Sequence, residues 1–285
     1  MAKRWFPRSS SLGNYFSCLQ RAAFDRAIHQ GLVSVEDLGL PEQGGCHLFQ
    51  LADYGSLVHA AWQSKVAQSF GEAPPTAAKI TELSAAACRL TSDDFGFLTE
   101  SVERAALQAV EAMPSNWRDQ TWVAELICKP KGVQLTGHID LYCGETGQFI
   151  DLKTTGRKPD HNRAKPTHLY QLAAYSILLK RMGLKANTGY LLYVESVRAR
   201  WAVLCEIDCT SEAWLEFEAH CEAFFKYLTS AALFKQARPN IGAHCTSQFC
   251  PYTSICRDKY LPGPGQVFGS LDNKAPLRTN METTL

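Results

Sequence analysis

Two aspartates and a lysine could do chemistry together. Gly144-Glu145-Thr146-Gly147 reads as a hairpin turn joining a strand at Val133–Cys143 to another at Gln148–Lys153. With that turn Cys143 faces Gln148, and counting back along both strands pairs Asp140 with Asp151. Directly opposed strand residues carry Cβ atoms about 4.5–5.5 Å apart, and two carboxylates that close repel unless a cation or proton lies between them. Asp151 and Lys153 are two apart and share a face of their strand. The three residues together could hold Mg2+, which takes one or two carboxylates and leaves positions for waters and phosphate oxygens. A dication there polarises a phosphoryl group and makes bound water a stronger nucleophile. The Lys153 ammonium could orient that water or stabilise charge on the phosphorane. A lone Asp-x-Lys is more often a solvated ion pair on a surface hairpin, so the surrounding residues must decide.

The elements around this hairpin can be read from periodicity and turn chemistry. Ser9–Cys18 reads as a serine cap feeding a helix that runs on through Phe24. Residues 31–53, with Gly39, Pro41, Gly44 and Gly45, form an irregular connection. A helix follows over Gly55–Phe70, and 76–113 holds two more helical stretches. After Pro114 the pattern turns β-like at Trp122–Cys128, followed by the two hairpin strands. A polar loop at 154–166 leads to a helix over Thr167–Met182, strands at Thr188–Val194 and Ala199–Ile207, and a helix over Ser211–Leu233. From Pro262 the chain reads as a loose tail. This order predicts one mixed sheet with helices on both faces.

Composition narrows the class. The chain has 285 residues, 46% hydrophobic and 20% charged, as in an ordinary soluble protein. At about 150 residues per domain this allows one or two domains. The longest apolar runs, Leu169–Leu179 and Tyr190–Val194, are too short for a membrane span, and the start Met-Ala-Lys-Arg-Trp-Phe-Pro-Arg lacks a signal-peptide core. A cytoplasmic protein with no membrane partner is expected. With 29 basic and 28 acidic residues, any affinity for nucleic acid must come from local patches. Eleven cysteines in a reducing compartment are buried thiols, metal ligands or catalysts rather than disulfides.

The string Gly137-His138-Ile139-Asp140, Asp151-Leu152-Lys153 and Gln171-Leu172-Ala173-Ala174-Tyr175 resembles the signature of PD-(D/E)XK nucleases. It is most similar to the branch of RecB-type recombination nucleases and CRISPR-adaptation nucleases. Gly55-Ser56-Leu57-Val58-His59 matches that branch's histidine motif, and Glu125 stands where its members often carry an acidic residue. The resemblance implies an α/β, restriction-endonuclease-like core, with a mixed β-sheet flanked by helices and a helical insertion at about 65–113. One nuclease domain would cover residues 1–261, followed by the tail at 262–285. His59, Asp140 and Asp151 would ligate Mg2+ or Mn2+, with the Leu152 carbonyl as a further ligand and Lys153 as the catalytic lysine. Gln171 and Tyr175, one turn apart on a helix, would lie near the DNA or the lysine. Glu125 would support the site from outside or hold a second metal, against the plainer reading of a surface glutamate at a strand end.

Near the C-terminus stand Cys245, Cys250 and Cys256 within one short segment, 245–256. Three thiolates can close around a metal centre that still needs a fourth ligand. The resemblance supplies it: Cys18, in Ser-x-Leu-x-x-Tyr-x-x-Cys, corresponds to the first cysteine of the iron–sulfur nuclease subgroup. A [4Fe–4S] cluster takes four thiolates and would tie the chain ends into a metal-cluster belt. The four-residue gap between Cys245 and Cys250 departs from the subgroup's usual two, and His244 keeps zinc as an alternative. The remaining cysteines read as buried thiols.

The loop after Lys153 carries Arg157, Lys158, Arg163 and Lys165 against Asp160 alone. Such a cluster suits phosphate contacts that weaken steeply with salt, though a plain exposed polar loop would look the same. Lys3, Arg4 and Arg8, with Trp5 and Phe6, form a second basic and aromatic spot. The expectation is a DNA nuclease, an exonuclease preferring single strands or frayed ends; that preference comes from the resemblance alone. The alternatives are an end-processing subunit active only with a recombination, replication or CRISPR-adaptation partner, and a non-catalytic DNA-binding module with a zinc site.

Overall fold

A computed structural model describes residues 5–33, 51–70, 92–159, 163–196, 198–230, 232–233, 237 and 252. The chain divides after Asn240 into the unit Met1–Asn240 and a second unit, Ile241–Leu285; the sheet and the helices that cover it all belong to the first. A 3-10 turn at Ser9–Ser11 leads into helices α1 (Leu12–Ser17) and α2 (Leu19–His29). Helices α3 (Leu51–Phe70) and α4 (Ser92–Glu111) precede a second 3-10 turn at Ser115–Asp119. Strands β1 (Val123–Cys128), β2 (Gly137–Cys143) and β3 (Gln148–Thr155) come next. Helix α5 (Pro166–Arg181), strands β4 (Thr188–Glu195) and β5 (Ala202–Asp208), and helix α6 (Glu212–Thr229) complete the order.

The five strands lie in sequence order in one sheet. Neighbours are antiparallel except β3 and β4, which run parallel and need a crossover, supplied by α5. Two apolar layers cover the sheet. One packs Leu12, Ala22, Leu172, Tyr175, Phe217 and Phe225 from α1, α2, α5 and α6 around Phe149 and Leu191. The other packs Val58, Trp62, Ala105 and Ala109 from α3 and α4 against Ile150, Leu152 and Leu192. This is a mixed five-stranded sheet flanked by helices, a restriction-endonuclease-like α/β fold. Among the described residues no helix is long and apolar enough to cross a membrane.

Several boundaries differ from the sequence reading. The first helix does not run unbroken: Cys18, with φ −153° and ψ 102°, is extended and separates α1 from α2. The expected serine cap makes no side-chain capping bond, because Ser11 itself is in the helical region at φ −93° and ψ −11°. β2 begins at Gly137 rather than Val133. Ahead of it the Thr136 amide bonds the Pro7 carbonyl (3.2 Å) and the Ser9 amide bonds the Thr136 carbonyl (2.8 Å), so the N-terminal segment takes up this stretch of backbone. Of the helical stretches expected over 76–113, only α4 falls among the described residues.

The hairpin forms as expected. Gly147, at φ +73°, adopts the left-handed conformation that closes the turn, and its amide bonds the Cys143 carbonyl at 2.9 Å. The register is Cys143↔Gln148, Tyr142↔Phe149 and Leu141↔Ile150. The ladder therefore stops one pair short of Asp140 and Asp151.

Candidate active site

β3 contributes two of the site residues. Ile150 and Leu152 pack into the α3/α4 layer and Phe149 into the opposite one, so strand alternation aims Asp151 and Lys153 toward α1 and α5. The Lys153 ammonium lies 2.7 Å from Asp151 Oδ2. Asp151 Oδ1 accepts hydrogen bonds from Gln171 Nε2 (2.9 Å) and from the Tyr175 hydroxyl (3.2 Å). Gln171 Nε2 also donates to the Tyr175 oxygen at 2.6 Å. One turn of α5 thus grips one oxygen of Asp151 while Lys153 faces the other.

Asp140 stands where the backbone pairing ends. Its Oδ2 accepts the Leu152 amide at 2.7 Å, taking the place of a strand carbonyl. Strand alternation would put Ile139 and Leu141 on one face, yet they pack into opposite layers. The ribbon therefore twists through Asp140, bringing that carboxylate within reach of both sides. Opposite it in the β1–β2 register stands Glu125, at φ +54°, between the pairs Ala124↔Leu141 and Leu126↔Ile139. A non-glycine residue in that conformation costs on the order of 1–3 kcal/mol.

α3 approaches from the other layer. His59 Nδ1 lies 3.2 Å from Asp140 Oδ2. Gln63, one turn further on, donates to Glu125 Oε1 at 2.9 Å and reaches the Asp140 carbonyl at 3.4 Å. His138 Nδ1 is 4.0 Å from Glu125 Oε2, and its side chain is 61% exposed.

The electrostatics follow from this layout. Burial opposes charge on Asp140, but His59, Lys153 and the Leu152 amide outweigh it and hold the acid below its ordinary range. Burial pulls the His59 imidazole down, but Asp140 overrides it and the net shift is upward. Burial, aided by repulsion from Asp140, pushes Asp151 up despite Lys153. The Tyr175 phenol is raised well above its usual value by burial and by both carboxylates, so it stays a neutral donor. The two acids are unlike: the surroundings favour the charged form of Asp140 and disfavour that of Asp151.

Direct contacts join the site residues in two sets, His59 with Asp140, and Lys153, Gln171 and Tyr175 with Asp151; the Leu152 amide, next to Asp151 in the chain, bonds Asp140, and Glu125 is linked to Asp140 through Gln63. Leu152 takes part through its amide, while its side chain lies in the core. Among the described residues no three His, Cys, Asp or Glu side chains form a metal-holding group. Asp140 is drawn toward His59 and Leu152, while Asp151 is drawn toward Lys153 and α5.

Of the basic loop, Arg157, Lys158 and Arg163 are exposed. Lys165 turns back, its Nζ 2.7 Å from Thr155 Oγ1 and its amide bonded to the Tyr193 hydroxyl at 3.0 Å. Burial and the nearby Arg157 lower its pKa. Asp160 lies outside the described residues, as do Lys3, Arg4, Cys245, Cys250 and Cys256. Cys18 is buried at the break between α1 and α2.

Two residues escaped the sequence reading. Gln63 carried a signal, since it is one helical turn from His59. His168 lies one turn before Gln171, with Nδ1 2.8 Å from the Tyr193 hydroxyl. Burial, then Lys153 and Lys165, push its pKa down to about 3.

Residues 34–257 match the sequence model of the PD-(D/E)XK nuclease superfamily. A search of curated proteins finds no match. Among solved structures the chain is similar to SSO0001, with a TM-score of 0.35 and 16% identity over 72% of this chain and 82% of that one. LHK-Exo in complex with dAMP gives a TM-score of 0.32 and 11% identity over 63% and 94%. LHK-Exo, an alkaline exonuclease from Laribacter hongkongensis, gives 0.26 and 14% over 61% and 93% in a second crystal structure. With more than half of its length matched, and with Asp140, Asp151 and Lys153 gathered at the end of one hairpin, the chain belongs to the PD-(D/E)XK nuclease superfamily.

Proposed function

We propose that this protein is a metal-dependent deoxyribonuclease with its active site at Asp140, Asp151 and Lys153. The observation that carries the reading is the buried pair of carboxylates at the end of the β2–β3 ladder, with an ammonium 2.7 Å from one of them. The two carboxylates and a backbone carbonyl suit the Mg2+ or Mn2+ that PD-(D/E)XK nucleases generally use, since both ions favour oxygen ligands. On Asp151 the buried Oδ2 faces the Lys153 ammonium at 2.7 Å, while Oδ1 is taken up by Gln171 and Tyr175. Asp140, Asp151, His59 and the Leu152 carbonyl would hold the ion. When bound, it supplies Lewis-acid polarisation of the scissile phosphate.

The chain's own residues do the rest. Gln171 and Tyr175 fix the rotation of Asp151 through Oδ1, and the Leu152 amide fixes Asp140. Lys153 presents an ammonium beside the reacting phosphate, where it can hold charge that develops on a phosphorane oxygen. Arg157, Lys158, Arg163 and Lys165 supply phosphate contacts to DNA. The preference for single-stranded or frayed ends, the exonuclease mode and a recombination, replication or CRISPR-adaptation partner rest on the sequence resemblance. So does a [4Fe–4S] cluster on Cys18, Cys245, Cys250 and Cys256.

The test is anaerobic purification with a visible spectrum, followed by digestion of end-labelled single- and double-stranded DNA. Mn2+-dependent shortening of labelled strands, abolished by chelator, is the expected result. No cleavage of either substrate with Mg2+ or Mn2+ would overturn the nuclease reading. A brown protein that bleaches in Cys256→Ala is expected for the cluster; a colourless protein with stoichiometric zinc would overturn that part alone.

A further inference from the structure

The contacts between α5 and β3 continue past Asp151. Gln171 and Tyr175 bond Asp151, and just ahead of the helix Lys165 Nζ bonds Thr155 Oγ1 at 2.7 Å. The helix therefore runs antiparallel to β3. His168, between Lys165 and Gln171 in the chain, lies at the level of Lys153, which stands between Thr155 and Asp151. The next strand agrees: Lys153 pairs with Tyr193 in the β3–β4 register, and His168 Nδ1 is 2.8 Å from the Tyr193 hydroxyl. The two rings stack with their centroids 5.5 Å apart.

These bonds fix where the imidazole keeps its proton. The buried Tyr193 oxygen accepts the Lys165 amide at 3.0 Å. Its own proton needs an acceptor, and among the described residues His168 Nδ1 is the one in reach. A neutral imidazole that accepts at Nδ1 carries its hydrogen on Nε2. Burial, then Lys153 and Lys165, favour that neutral form. Nε2 bonds none of the described residues, and the side chain is only partly buried.

We propose that His168 binds the substrate, its Nε2–H donating to a phosphate oxygen of bound DNA alongside the Lys153 ammonium. The identity of the ligand rests on the nuclease reading. A neutral donor suits this position, because it adds a directed bond without a further positive charge beside Lys153 and Lys165. Tyr193 then serves as the group that sets the tautomer.

The experiment measures binding of a single-stranded oligonucleotide to the full chain, with Ca2+ in place of Mn2+ to hold back cleavage. His168→Asn keeps an acceptor for Tyr193 near the Nδ1 position and has nothing at Nε2, whereas His168→Gln reaches the Nε2 position with its amide. His168→Asn should raise the Kd for DNA about 3- to 10-fold, as expected for one hydrogen bond, and His168→Gln should recover part of that loss. The slope of log K against log salt should not change, because no cation is removed. Mn2+ affinity in calorimetry should not change either. In oligonucleotides carrying one neutral methylphosphonate linkage at successive positions, the His168→Asn loss should vanish at one linkage. Wild-type affinity in His168→Asn, or the same loss at every linkage, would overturn the proposal, since a purely structural histidine does not single out one phosphate. If His168→Asn does not fold, His168→Phe, which keeps the ring against Tyr193, is read in the same scan. A wild type that cuts DNA but gives a flat scan overturns the role of His168 alone; one that neither binds nor cuts DNA overturns the nuclease reading with it.

Discussion

Gly137→Ala tests the packing of the site against a matched control. The added methyl would sit 2.9 and 3.0 Å from Tyr175 Cε1 and Cδ1 and 3.0 Å from Ser9 Oγ. Gly189 in β4 is equally crowded, since a Cβ there meets Leu172 Cδ2 at 2.8 Å and Phe149 Cζ at 2.9 Å. Overpacking of this kind costs about 1–3 kcal/mol. At about 2–4 °C per kcal/mol for a chain of this size, both Ala variants should lower Tm by about 2–12 °C. Only at Gly137 does the methyl push on a residue that holds Asp151, because the Gly189 neighbours are Leu172 and Phe149. Mn2+-dependent cleavage, measured well below either Tm, should therefore fall roughly 10-fold or more in Gly137→Ala and stay near wild type in Gly189→Ala. Equal losses of activity in the two variants would refute the reasoning, as would a Gly137→Ala protein with unchanged Tm and full activity.

Other outcomes follow from the same geometry. His168, with its pKa lowered to about 3, stays neutral in the fold while the unfolded chain takes up a proton below about 6.5. Stability should therefore fall by up to about 1.4 kcal/mol per pH unit as pH drops below that value; urea unfolding of His168→Gln at pH 7, 6 and 5 should show a shallower decline, and parallel slopes would count against it. Lys180 lies 2.7 Å from Glu218 Oε2, and Trp214 Nε1 donates to Oε1 at 2.8 Å. Lys180→Met should cost about 1–3 kcal/mol by urea unfolding, less than for a fully buried pair because the lysine is partly exposed. Replacing both Arg157 and Lys158 by Gln should weaken DNA binding and reduce the slope of log K against log salt by roughly 1–2; an unchanged slope would remove the loop from the interface.

Most of the sheet could be read from the sequence because its signals are local. Gly144–Gly147 marks the turn, and the turn alone fixes the register that places Asp140 and Asp151 at one level. The motif residues His59, Gln171 and Tyr175 could be named from the family resemblance, and in the structure His59 contacts Asp140 while Gln171 and Tyr175 contact Asp151. The rest depended on tertiary context. Nothing local to β1 or β2 announces that the ribbon twists through Asp140 or that Glu125 takes φ +54° opposite it. Thr136 and Gly137 looked like ordinary strand residues, but their neighbours are Pro7, Ser9 and Tyr175, which lie far off in the chain. The expected serine cap does not form, because Ser11 is itself helical and the Ser9 amide is bonded to the Thr136 carbonyl of a distant segment.

On the proposed function, Asp140 and Asp151 share one divalent cation. Mn2+ titration of the wild type, Asp140→Asn and Asp151→Asn by calorimetry, alongside their unfolding curves, tests it most directly. Saturable binding is expected in the wild type, with a loss of at least about 10-fold in affinity in each variant and cooperative unfolding in all three. Wild-type Mn2+ affinity retained in either Asn variant would contradict it.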